Sequence, residues 1–228
     1  IRSQSCAPER MPCSNSPRCV CSNHYISFCQ ARPRTRDAHN LTQVTLLSLG
    51  PHAKNLSRML NGDVKLIHLD EPLSADFVQA KSPDVVISFG YKHIIPERLL
   101  KLMGSRAYNV HISMLPWNRG MHPNFWSWLE NTPRGVSIHQ MSPQLDAGPV
   151  VAQMEVSLSP MHTLRSSYQH LQREANELLR STLSELLWGR PDAIPQSSQG
   201  GSFHRADEIY AYWDLLSHGW LTPAVARC

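Results

Sequence analysis

The sequence predicts an α/β protein built on a doubly wound, mostly parallel sheet flanked by helices. Short apolar runs alternate with segments of helical spacing, Gly and Pro punctuate the junctions, and no internal repeat breaks the order. Val44-Thr45-Leu46-Leu47-Ser48-Leu49 reads as a buried strand ended by Gly50-Pro51. His52 to Leu60 follows with apolar residues at Ala53, Leu56, Met59 and Leu60, a helical pattern. Val64 to Leu69 reads as a second strand, and Ser74 stands where it can cap a helix through Ala80. Asp84 to Phe89 is a third strand stopped by Gly90, and Pro96 opens a helix to about Met103.

Tyr108 to Ile112 is the fourth strand. A polar and aromatic loop, a short helix after Pro123, and strands near Val136–Met141 and Pro149–Val156 come next. Thr163 to Trp188 reads as a long amphipathic helix with Leu164, Tyr168, Leu171, Ala175 and Leu178 on one face. A loop rich in Pro, Ser and Gly then leads to a short helix near Ala206–Leu216. The 228 residues suffice for one core with a short appendage. The expected division is a leader over 1–40, a catalytic domain over 41–190, and a C-terminal loop and helix over 191–228 packing on that domain.

The leader differs in composition from the body. Six arginines (Arg2, Arg10, Arg18, Arg32, Arg34 and Arg36) against Glu9 and Asp37 account for the whole net charge of +4. The body is thus balanced and lacks a broad electrostatic footprint for phosphate backbones. Cys6, Cys13, Cys19, Cys21 and Cys29 also lie in the leader, with Cys228 at the other end. Cys19-Val20-Cys21 lacks the second matching ligand pair of a zinc site, so no metal is expected. Rich in Arg and Ser and poor in acid, the leader reads as a disordered extension of transit-segment type. Cytoplasm is the default compartment, or an organelle if the leader is a transit segment. No apolar run approaches the length of a membrane span.

In a doubly wound sheet, ligands collect beyond the carboxyl ends of the strands. Leu49-Gly50-Pro51-His52-Ala53 is not a dinucleotide fingerprint, which disfavours hydride transfer. The fourth strand delivers Asn109 and His111 to that end, on one face because side chains alternate. Leu145-Asp146-Ala147-Gly148-Pro149 places a carboxylate in a nearby inter-strand loop. Taken singly, each residue has a plain structural explanation: a satisfied histidine, a strand-end amide, a turn aspartate. Their order together is more telling.

That order resembles the folate-dependent formyltransferases. The resemblance rests on Asn109-Val110-His111, Leu115-Pro116-Trp117-Asn118-Arg119-Gly120, Pro123, Gly135-Val136-Ser137-Ile138 and Leu145 to Val150, and covers about Gln43 to Glu155. In detail it is closest to the sugar-nucleotide N-formyltransferases, through Pro123 to Ser127 and Thr132 to Val136. Ser137, where the family often has Thr, and the leader depart from the pattern.

The resemblance implies that Asn109, His111 and Asp146 are catalytic and that 10-formyltetrahydrofolate donates its formyl group to a primary amine. Asn109 and a protonated His111 would hydrogen-bond the oxyanion that attack generates, and Asp146 would support His111 and help remove the amine proton. The donor would lie on the loops holding Tyr91, Lys92, His93 and Ile94, and Ser142 and Leu145, with Leu115 beside them. Trp117, Asn118 and Arg119 would contact the acceptor. The expected acceptor is a small molecule, an amino-sugar nucleotide, in preference to glycinamide ribonucleotide or methionyl-tRNA. A tRNA acceptor calls for a basic surface that the balanced body lacks. A non-catalytic folate-binding homologue and a homodimer stay open. The segment Gly201 to Asp207 reads equally as a cover over the ligands or as a cap on the core.

Overall fold

The computed structural model describes Tyr25–Ile26 and residues 43–224. One sheet organises the chain: β1 (Tyr25–Ile26), β2 (Val44–Leu49), β3 (Val64–Leu69), β4 (Val85–Phe89), β5 (Ala107–His111), β7 (Gly135–Gln140) and β8 (Val150–Glu155). Their spatial order is β1-β8-β7-β5-β4-β2-β3. The β2–β3, β2–β4 and β4–β5 pairs are parallel. The β5–β7, β7–β8 and β1–β8 pairs are antiparallel. The expected α/β sheet is present, and β5 is the strand where its parallel half meets its antiparallel half.

Both faces are covered, as continuous apolar strands require. On one face α4 (Leu164–Trp188) buries Leu171, Ala175, Leu178, Leu179 and Leu186 against Leu46, Ile87, Val136 and Ile138. On the other, α1 (Ala75–Lys81) and α2 (Glu97–Met103) contribute Val78 and Met103 to a cluster with Leu47, Leu49 and Val86. Helix starts follow the sequence signals. Ser74 Oγ accepts the Phe77 N–H, and Thr163 and Ser166 form a reciprocal capping box at the head of α4.

Three local expectations change. Pro51–Arg58 forms a 3-10 helix rather than an α-helix, consistent with its poor helix formers Pro51, Asn55 and Ser57. Tyr168 lies at the margin of the buried face of α4, 36% exposed, and its hydroxyl meets His52 Nε2 at 3.1 Å. The last helix is also 3-10, Glu208–Leu216, kinked at Tyr212. Within the leader, Tyr25–Ile26 extends the sheet beside Gln153 and Met154. All six cysteines and the rest of the leader lie outside the described residues. No helix among the described residues is long and apolar enough to cross a membrane.

Candidate active site

Antiparallel pairing of β5 with β7 assembles the polar centre. Asn109 sits opposite His139 and His111 opposite Ser137, so all four share one register. The loop after β7 carries Asp146 back over this face. Asp146 adopts a left-handed φ of 51°, and its carboxylate Oδ2 accepts the Gly120 N–H at 2.9 Å. A Cβ on Gly148 would stand 1.8 Å from the Gln140 carbonyl oxygen, so only glycine fits where the loop crosses β7.

Asn109, His111 and Asp146 therefore meet. Asn109 Nδ2 donates to Asp146 Oδ1 at 3.1 Å, and His111 Nδ1 lies 3.7 Å from Asp146 Oδ2. The other ring nitrogen of His111, Nε2, donates to the Asn118 carbonyl at 2.9 Å. That anchor leaves Nδ1 as the atom facing the carboxylate, close enough for a charge interaction and too far for a direct hydrogen bond. His111 and Asp146 are buried and Asn109 is half-buried, so Asn109 is the most accessible of the three.

His139 is a fourth member that sequence reasoning missed. Its Nδ1 donates to the Gln140 carbonyl at 2.8 Å, while Nε2 lies 3.3 Å from both Asn109 Nδ2 and Asp146 Oδ1. The signal was available: period-two alternation along Gly135-Val136-Ser137-Ile138-His139 puts Ser137 and His139 on one face. Burial by itself would push the Asp146 carboxyl up. His111, His139 and the Gly120 N–H outweigh it and hold the group well below the usual carboxylate range.

The other expected residues separate into two groups. The 90–96 and 141–145 loops rest on one apolar cluster through Tyr91, Ile95 and Met141, and expose Ile94 and Leu145 at their tips. Lys92 is exposed, His93 packs edge-on against Tyr91, and Ser142 Oγ donates to the Gln144 carbonyl. The Tyr91 hydroxyl is committed to the Glu71 carbonyl at 2.6 Å, so it holds its loop in place. Leu115 is buried, and its carbonyl accepts from Gln153.

Asn118 is 0% exposed, with Nδ2 donating to Thr132 Oγ1, Oδ1 accepting from Ser202 and its backbone carbonyl accepting from His111. Trp117 and Arg119 are half-buried beside it, and Arg119 Nε points at the Ser202 carbonyl at 3.5 Å. A short parallel ribbon, β6 (Arg119–Gly120) with β9 (Phe203–His204), joins this loop to the C-terminal segment. Beyond it, His204 stacks on Trp126 at 4.0 Å, between Glu130 at 3.2 Å and Glu208 at 3.3 Å. Trp126 belongs to α3 (Pro123–Leu129).

A family model described as formyl transferase matches residues 63–183. The chain belongs to the formyltransferase family. Among solved structures, this formyltransferase is similar to PseJ from Anoxybacillus kamchatkensis, with 35% identity over 79% of this chain and 95% of that one, at a TM-score of 0.74. That formyltransferase was solved with UDP-4,6-dideoxy-4-formamido-L-AltNAc and tetrahydrofolate. A 4-N formyltransferase from Francisella tularensis shares 17% identity over 75% of this chain and 80% of its own, with a TM-score of 0.67. The methionyl-tRNA formyltransferase of Clostridium thermocellum shares 15% identity over 78% of this chain and 85% of its own, with a TM-score of 0.60. At those identities the last two share the fold.

Proposed function

We propose that this formyltransferase moves a formyl group from 10-formyltetrahydrofolate to a primary amine of an amino-sugar nucleotide. The observation that carries the reading is the convergence of Asn109 and His111 on an ionised Asp146, with Asn109 on the accessible side. The donor supplies an activated formyl carbon. Its flat ring system suits the two loops that share an apolar footing and present Ile94 and Leu145 outward.

As the amine nitrogen bonds to the formyl carbon, negative charge gathers on the formyl oxygen. Asn109 Nδ2 meets it by exchanging its longer contact, 3.3 Å to His139 Nε2, for the arriving oxygen. With Nε2 fixed on the Asn118 carbonyl, the second donor is Nδ1–H of His111. Asp146 offsets that ring's charge and takes the amine proton, directly or through a water. The proton then passes to the donor nitrogen as its bond to the formyl carbon breaks.

The acceptor class is supported by the 35% identity to PseJ across nearly all of its length, together with the sugar nucleotide named for that protein. Arg119 and Trp117 lie beside the centre, where a phosphate and a sugar or base would meet a cation and an aromatic ring. The test is a formyl-transfer assay against amino-sugar nucleotides, glycinamide ribonucleotide and charged initiator tRNA. Turnover confined to the first group is expected. Folate binding without turnover of any acceptor would overturn the reading in favour of a binding protein.

A further inference from the structure

We infer that residues 194–204 act as a positioning strap for the catalytic pair, with Gln196 setting Asp146 and Ser202 setting His111. The segment is pinned at its start by a reciprocal pair of 2.8 Å backbone bonds between Ile194 and Val150. Gln196 Nε2 then donates to the carbonyl of Asp146 at 2.7 Å and to that of Gly148 at 2.8 Å. Two carbonyls on one amide fix which end of the side chain is the NH2. They also hold both ends of the left-handed turn that aims the Asp146 carboxylate. Gln196 Oε1 has no hydrogen-bond partner among the described residues, so the side chain acts through its nitrogen.

Six residues on, the strap grips the other catalytic group. Ser202 Oγ accepts the Asn118 N–H at 2.9 Å and donates to Asn118 Oδ1 at 3.1 Å, and the Asn118 carbonyl accepts His111 Nε2. Ser202 also reaches the loop through its backbone, donating to the Pro116 carbonyl at 3.2 Å and accepting from Arg119 N–H at 3.0 Å. Gly201 permits that approach: its φ is 93°, and a Cβ there would stand 2.6 Å from the Pro116 carbonyl oxygen. Neither Gln196 nor Ser202 hydrogen-bonds a side-chain atom of Asn109, His111 or Asp146. Each acts at one remove, on the backbone that orients them.

Gln196→Met and Ser202→Ala test this in the full chain. The inference relies on the formyl-transfer reading for its rate measurement alone. Gln196→Met is expected to lower kcat about tenfold with both KM values within about threefold, because an orienting contact is lost and no substrate contact is. In an Asp146→Asn background the same change should cost less than about twofold, and Ser202→Ala should likewise lose its effect beside His111→Asn. Losses that multiply in those backgrounds, or a rise in KM at unchanged kcat, would overturn the inference. An independent signature is the Gly120 amide proton resonance, which reports the Asp146 carboxylate through their hydrogen bond. It should move in Gln196→Met; a resonance that stays put in the folded variant refutes the role of Gln196 whether or not any acceptor turns over. Should Gln196→Met fail to fold, Ser202→Ala, which removes one oxygen, decides the issue through its effect on kcat.

Discussion

Asp146 is the residue whose charge the site is built around. Its carboxyl is held below its ordinary value of 3.8, so the folded state gains stability from it at pH values above that range and loses it as the pH falls further. Across neutral pH the group stays ionised. Asp146→Asn should therefore depress kcat by at least about tenfold at every pH in the working range. A pH–rate profile of the variant checks this; near-normal rates would remove Asp146 from the mechanism. The same replacement should flatten acid unfolding, since the amide cannot titrate.

At this scale the shared face of Asn109 and His111 was legible from strand alternation, and Asp146 joined them through the family resemblance. His139 left a partial signal, the alternation along β7, and Gln196 left none. His139 becomes significant only once β7 is known to pair with β5, and Gln196 acts from about fifty residues beyond the turn it holds.

Among the elements, α4 shows how local and tertiary terms divide. Its capping box satisfies two otherwise unpaired donors, and Thr163→Ala should cost about 1 kcal/mol. In a chain of this size that lowers Tm by about 2–4 °C, measurable by calorimetry, with kcat unchanged because the cap lies outside the catalytic cluster. Leu186→Ala removes a fully buried side chain from the same helix and should cost about 2–5 kcal/mol. Helices with caps and strands with continuous apolar runs were readable to within a residue or two. The β6–β9 ribbon was not, because two-residue strands far apart in sequence leave no periodicity to detect.

For the whole molecule, β5 is the strand on which the two halves of the sheet and the polar cluster meet. A parallel neighbour lies on one side of it, while the antiparallel neighbour on the other brings a second histidine level with Asn109. The sequence revealed the parallel half clearly, through alternating strands and helices. The reversal at β7 was hidden, since an apolar strand reads the same in either direction. The balanced charge of the body also has a kinetic consequence. Turnover with a small acceptor should vary little between 50 and 200 mM salt, whereas a polyanionic acceptor bound through phosphates would show a steep decline, as a salt titration of kcat/KM will tell.

The face-to-face contact of Trp126 with His204 gives the molecule an internal optical gauge. His204 closes the strap two residues beyond Ser202, with its imidazole lying on the indole of Trp126. Lifting that segment would separate the rings and change the surroundings of the Trp126 indole. Time-resolved fluorescence could then follow, on an unlabelled enzyme, the seating of the segment that carries His204 against this ring.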